Sequence, residues 1–369
     1  MGERRGGQGY RKVIGYLMLN IIAVVIVFSI LIVVHEFGHF MMAKRCGVKV
    51  ERFSLGFGPK LISIKKGETE YMISLVPLGG YVKLAGESHQ DKLTGEGWEF
   101  LSKPPGQRFK IVACGPFLNY ILGIILFSLV FMIGAPTLTN KVGEVLEDYP
   151  AYASGIRPGD KIVSIDGKEV RYWHELTEIM HKKLEGAARL EILRRESTLN
   201  LVIKPKIKEF KDIFGKDVKI AMVGIAPSDE LIYIKHNPAE SFYRGLVKTF
   251  QLTAITFKAI WNLMIGRLSF RESVTGPVGI FMLTAKAARL GLVYLLNLMA
   301  IISTSLAIFN ILPIPVLDGG HILFILIEKI RRRPLSPKAQ ETSVQIGLGI
   351  LIVLMLFVFY YDIMRIISR

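Results

Sequence analysis

Residues 13–40 read VIGYLMLNIIAVVIVFSILIVVHEFGHF, an apolar run that carries no charge until it ends in His35-Glu36-Phe37-Gly38-His39. At 1.5 Å of rise per helical residue, the uncharged part, 13–34, matches the ~30 Å hydrocarbon core of a bilayer. A basic start before an apolar run also describes a secretory signal peptide. This run is longer than such a segment, lacks a small-x-small cleavage site and leads into a motif that cleavage would discard. It predicts a retained spanning helix over 13–43.

Three more stretches, 111–140, 292–317 and 343–361, contain no Asp, Glu, Lys or Arg. Hydrophobic residues make up 51% of the 369 and the mean hydropathy is +0.39, both high for a soluble globular chain. The pattern predicts a polytopic α-helical membrane protein with four transmembrane helices, at 13–43, 111–134, 292–327 and 343–364. The net charge of +16 does not point to nucleic acid, because Lys and Arg crowd two connections. One follows the first span (Lys44, Arg45, Lys49, Arg52, Lys60, Lys65, Lys66) and one precedes the last (Lys329, Arg331, Arg332, Arg333, Lys338). The positive-inside rule places both in the cytoplasm, and four spans then put 141–291 outside. The short basic tail (Arg4, Arg5, Arg11, Lys12) falls outside in this topology, either translocated or absent if the chain starts near Met18. The only cysteines, Cys46 and Cys114, imply no disulfide framework.

Between the first two spans, residues 48–108 read as a cytoplasmic-side β-sheet followed by a polar loop, with β-branched and aromatic runs punctuated by glycine. The outer region opens with an α/β module over 140–206. It contains a strand at 161–165, an Asp166-Gly167 hairpin turn, an amphipathic helix at 173–184, then the strands ARLEILRR and LNLVIKPK. Residues 207–290 follow. Within them 242–265 carries apolar residues at helical spacing interrupted by Lys248 and Lys258, which predicts a helix on the membrane surface.

His35 and His39 stand at i and i+4 of a helix, so both imidazoles face one ion. Glu36 lies beside it and can take a proton from a metal-activated water, as in HExxH metalloproteases. Ionisable residues bordering a span are costly and usually functional, whereas a helix merely ending in the headgroup region accounts for one polar residue and not three. A catalytic zinc needs a third protein ligand, and Asp318 in NILPIPVLDGGH is the candidate. The first and third spans run in the same direction, so their ends reach the same depth. Asp318 could instead cap the helix restarting after Pro313 and Pro315, and His321 competes with it as a ligand. Asn310 is a candidate donor to a developing oxyanion, or a partner for the carbonyls freed by Pro313. Asn119 in the second span is a buried polar group suited to an interhelical hydrogen bond.

The segments VVHEFGHF, GYVKLAGE, CGPFLN, GIRPGDKIVSIDG, SVTGPVGI and NILPIPVLDGGH together resemble the site-2 protease family of intramembrane zinc metalloproteases, bacterial RseP/RasP type. The resemblance implies Zn2+ held by His35, His39 and Asp318, with Glu36 as catalytic base and Asn310 near the substrate. It also implies an edge strand around Gly79, Gly80 and Tyr81 that pairs with the substrate, and one extracytoplasmic PDZ domain at 140–206. The implied substrates are single-pass transmembrane proteins, such as anti-sigma factors and signal-peptide remnants, cut in regulated intramembrane proteolysis at the bacterial cytoplasmic membrane. Two other classes stay in view: a membrane adaptor with a vestigial metal site, and a peptidase working in water with its spans as anchors. The intact Glu36 argues against the first, and an HExxH helix continuous with an apolar span argues against the second.

Overall fold

A computed structural model describes residues 3–88, 94–212 and 214–367. The side chains of Arg4, Arg5, Arg11 and Lys12, and five residues of the polar loop (89–93), lie outside the described part. The chain forms two compact units: 131–237 with 257–269, and the remainder.

The larger unit opens with α1 (Glu3–Arg45), a single helix that stops where Gly47 takes a left-handed φ of 66°. β1 (Val50–Lys66) and β2 (Thr69–Leu84) follow, turning at Gly67. Their register folds four segments into one sheet. Residues 52–55 have 80–83 on one side and 70–73 on the other, and 62–66 pairs with 69–73 beyond. Residues 80–83 therefore form an edge. α2 (Pro105–Ile133) begins on a proline at its first position, where no amide hydrogen is missed. It starts six residues before the predicted 111.

The second unit holds β3 (Ala135–Leu138), β4 (Val142–Val145), α3 (Pro150–Ala153), β5 (Lys161–Ile165), β6 (Lys168–Glu169), α4 (Trp173–His181), β7 (Ala188–Arg194), β8 (Ser197–Ile203), β9 (Lys206–Lys211), β10 (Asp217–Met222), β11 (Ile225–Pro227) and β12 (Leu231–Ile234). Its main sheet runs β6-β5-β7-β8, and Asp166 and Gly167 take the positive φ angles of the expected hairpin turn. The unit does not end at 206. β11 pairs with β4 and β12 with β3, and Val223 sits in the same apolar core as Ile162, Leu176 and Ile192. Strands from beyond 206 complete the core, so the sequence boundary fell short.

The chain continues as α5 (Pro238–Met264), α6 (Phe270–Ser273), α7 (Pro277–Leu290), α8 (Leu292–Ile311), α9 (Asp318–Arg331) and α10 (Pro337–Ile367). Four described helices are long and apolar enough to cross a membrane: Met18–Arg45, Pro105–Ile133, Leu292–Ile311 and Pro337–Arg365. The stretch 292–327 is not one helix. Leu312, preceding Pro313, is forced to an extended ψ of 144°, and the helix restarts at Asp318.

Residues 242–256 of α5, expected to lie on the membrane surface, pack against the apolar helices of the larger unit. Gly245 packs on Ser128 and Ile124 of α2, the Tyr120 hydroxyl meets Thr253 Oγ1 at 3.0 Å, and Leu252 joins a core formed by Val27, Leu31, Phe127 and Met299. Small and hydroxyl residues do this work, as expected where lipid tails remove any hydrophobic preference between helices. The SVTGPVGI segment has a similar explanation. Gly276 and Gly279 let the buried Asp362 of α10 accept their amide hydrogens, at 3.2 and 2.9 Å.

Candidate metal centre

The last turns of α1 set His35 and His39 one above the other, with ring centroids 4.8 Å apart and planes at 82°. Their Nε2 atoms lie 3.2 Å from each other. Asp318 Oδ2 completes the triangle, 3.1 Å from His35 Nε2 and 3.6 Å from His39 Nε2. Two bonds of ~2.0–2.1 Å at a tetrahedral angle separate their donor atoms by about 3.3 Å. The three donors therefore fit one zinc-sized ion. Asp318 Oδ2 is also buried without a hydrogen-bond donor among the described residues, which is costly for a carboxylate that holds nothing.

Asp318 reaches this position because α9 folds back on the end of α8. A Cβ at Gly319 would strike the carbonyls of Ile311 and Leu312, and one at Gly320 would strike Ile314 and Pro315. Only glycine fits at either place. Asp318 is the first residue of α9 and follows an N-cap, Leu317, whose side chain makes no capping bond. His35 and His39 in the last turns of α1 and Asp318, just after the end of α8, are brought together.

α2 supplies the other wall. A Cβ at Gly38 would enter the Cys114 backbone, and one at Gly115 would sit on His39 Nε2. The two glycines let the helix backbones touch beside His39. His39 Nδ1 lies 3.0 Å from the Ile111 carbonyl. A carbonyl only accepts, so Nδ1 carries the proton and Nε2 keeps its lone pair for a metal. The Gly38–Gly115 contact carries no signature of its own in the sequence, since glycine is common in apolar spans.

A cavity of about 270 Å³ opens from this cluster and is lined by Glu36, Tyr81, Val82, Asp318, His321 and Arg108, among others. Glu36 faces it beside His35, His39 and Asp318. His321 lines the cavity but lies outside the close ligand group, which contains only His35, His39 and Asp318 among the described residues. Arg108 pairs with Glu328 at the cavity wall, a buried ion pair that sequence reasoning missed. Asn310 Nδ2 is 3.5 Å from His35 Nε2, so it stands where a donor to the reacting group would be useful. Gly80 lies against Glu36 and Ile32 of α1, while Gly79 takes a φ of 145° over the Phe57 ring. Tyr81 stacks on that same ring, with planes at 7°. The edge of the sheet, buried at Gly79 and Gly80 and half-buried at Tyr81 and Val82, thus passes beside Glu36.

Residues 23–354 match the family described as Peptidase family M50. A curated relative in Agrobacterium fabrum, named a "putative zinc metalloprotease", is 34% identical over 96% of this chain and 98% of its own length. One of the same description in Campylobacter jejuni is 36% identical over 96% of each. The regulator of sigma-E protease RseP of Escherichia coli is 30% identical over 92% of this chain and 97% of its own. Among solved structures, the PDZ domain of the SdrC-like protein from Listeria monocytogenes covers 24% of this chain and 86% of its own at 24% identity. Its TM-score of 0.20 is too low to assign a fold.

Proposed function

This chain belongs to peptidase family M50, and on that premise we propose that it is a zinc endopeptidase that cuts the transmembrane segments of single-pass proteins. The observation that carries the proposal is the convergence of His35, His39 and Asp318, with Glu36 beside them, at the end of an apolar helix. Bound zinc supplies Lewis acidity toward a water and a scissile carbonyl. Glu36 takes the proton of the attacking water and hands it to the leaving amine. Asn310 is placed to donate to the developing oxyanion.

A peptide bond inside a helix is shielded by its own hydrogen bonds. The edge at 80–83 offers a substrate segment an alternative partner that holds it extended, with Gly79, Gly80 and Tyr81 as its contact points. The E. coli relative's name, a regulator of sigma-E protease, favours anti-sigma factors as one substrate class; signal-peptide remnants are the other. The basic connections put the metal centre near the cytoplasmic face of the bacterial inner membrane and the second unit outside. We read that unit as a single PDZ module. A cavity of about 140 Å³ between α4 (Leu176, Met180) and residues 221–225 has the size for one apolar side chain of an extended peptide.

The test mixes purified wild type and Glu36→Gln with a model single-pass substrate in detergent and assays zinc in both. Zinc in both proteins with cleavage by wild type alone is expected. Cleavage by the Gln variant would remove Glu36 as the base, and a wild type without zinc would remove the whole reading.

A further inference from the structure

The two histidines of the metal centre need the same thing from their surroundings. Each must present Nε2 as a lone pair, so each must carry its proton on Nδ1 and give it to an acceptor. His39 has one in the Ile111 carbonyl. The group that faces His35 Nδ1 is the side-chain amide of Asn119, with Nδ2 at 3.5 Å. Two donors then point at each other. On the far side of that amide, Oδ1 is buried and accepts no hydrogen bond among the described residues, and Asn119 as a whole is fully buried.

One rotation removes both faults. Which end of an amide is oxygen is decided by the hydrogen bonds it makes. Turning the Asn119 amide by 180° sets Oδ1 opposite the His35 Nδ1 proton and relieves the orphaned acceptor. The backbone at this residue is already fixed, since the Ser303 hydroxyl of α8 donates to the Asn119 carbonyl at 2.7 Å. One residue of α2 therefore reaches α8 through its backbone and α1 through its side chain. The side chain is free to serve His35.

We propose that Asn119 is the positioning residue for His35: its side-chain oxygen accepts the Nδ1 proton, fixing the tautomer and the ring orientation that aim Nε2 at the metal. This rests on the zinc reading given above and extends it to a residue outside the ligand set. α2 then provides the outer acceptor for both histidines, from Ile111 and from Asn119, two helical turns apart.

The experiment uses the full-length protein in detergent, as wild type, Asn119→Leu and Asn119→Asp. Zinc affinity is measured by competition with a chromophoric chelator, and the visible spectrum of the Co2+-substituted protein is recorded. Leu removes the acceptor at similar volume and should weaken zinc by ~10–100-fold, the usual cost of losing such a partner, while changing the Co2+ spectrum. Asp keeps an oxygen acceptor and cannot donate, so it should hold zinc at least as tightly as wild type. If Leu disrupts folding, Asp alone decides. Zinc lost from Asn119→Asp while wild type retains it would overturn the proposal, as would unchanged affinity in a folded Leu variant. Both results leave the zinc reading standing. A wild type that binds no zinc would overturn both.

Discussion

Asp318 is the residue on which the ligand set turns, because it alone comes from a second helix. Asp318→Asn keeps the shape and removes the charge that a divalent ion needs. Zinc affinity should fall by more than the ~10–100-fold expected from losing an outer partner, read by the same chelator competition. An unchanged affinity would pass the third position to another group. A second residue governs a different stability. Asp160 is buried, and burial pushes its carboxyl toward neutrality. The guanidinium of Arg194, which meets both oxygens at 2.8 Å, and the amide of Arg157 outweigh that and hold the carboxyl below the usual carboxylate range. A depressed folded value means that the stabilisation is present above the unfolded value of ~3.9 and is lost as pH falls through the folded one. Hydrogen exchange in 140–203 should accordingly rise as pH drops below about 4, once the intrinsic pH dependence of exchange is subtracted. Asp160→Asn should be weaker by ~1.5–3 kcal/mol at neutral pH and lose less on acidification. A variant as stable as wild type at neutral pH would show that the pair contributes nothing.

Among the elements, the crossing of α1 and α2 decides whether the ligands can meet. Gly38→Val would drive a side chain into the α2 backbone, an overpacking that costs about 1–3 kcal/mol and separates His39 from Ile111. Reduced thermal stability together with reduced zinc content is expected. Gly106→Ala, on the same α2 with open space at its Cβ, should leave both unchanged. Equal effects from the two would mean that helix propensity, not the crossing, is at stake. This crossing was illegible in the sequence, for which Gly38 and Gly115 are two small residues in apolar helices. The histidine pair was legible because i, i+4 is a local pattern, and Asp318 was a candidate because equal span directions set it at the depth of that pair, with the family resemblance favouring it over His321. α5 was read from its apolar stripe, yet Gly245 and Thr253, which seat it on α2, carry little hydrophobic signal. The second unit's limit at 206 fell short because Val223 and Ile225, far along the chain, pack on its core.

At the scale of the whole chain, sidedness follows from counting. His35 and His39 end one candidate span and Asp318 follows the end of another, and their meeting requires those two helices to run the same way. On the topology proposed above, an even number of crossings separates the two ends, which assigns residues 141–236 to one face and 332–336 to the other. The basic residues Arg331, Arg332 and Arg333 draw the second segment inward. In a chain whose Cys46 and Cys114 are replaced by serine, Lys168→Cys should react with a membrane-impermeant maleimide on spheroplasts. Arg333→Cys should react only after the membrane is opened. Reversal of both would invert the orientation and keep the site. Labelling of both from outside would make α1 and α8 run in opposite directions, and a carboxylate at one leaflet cannot complete a metal site at the other.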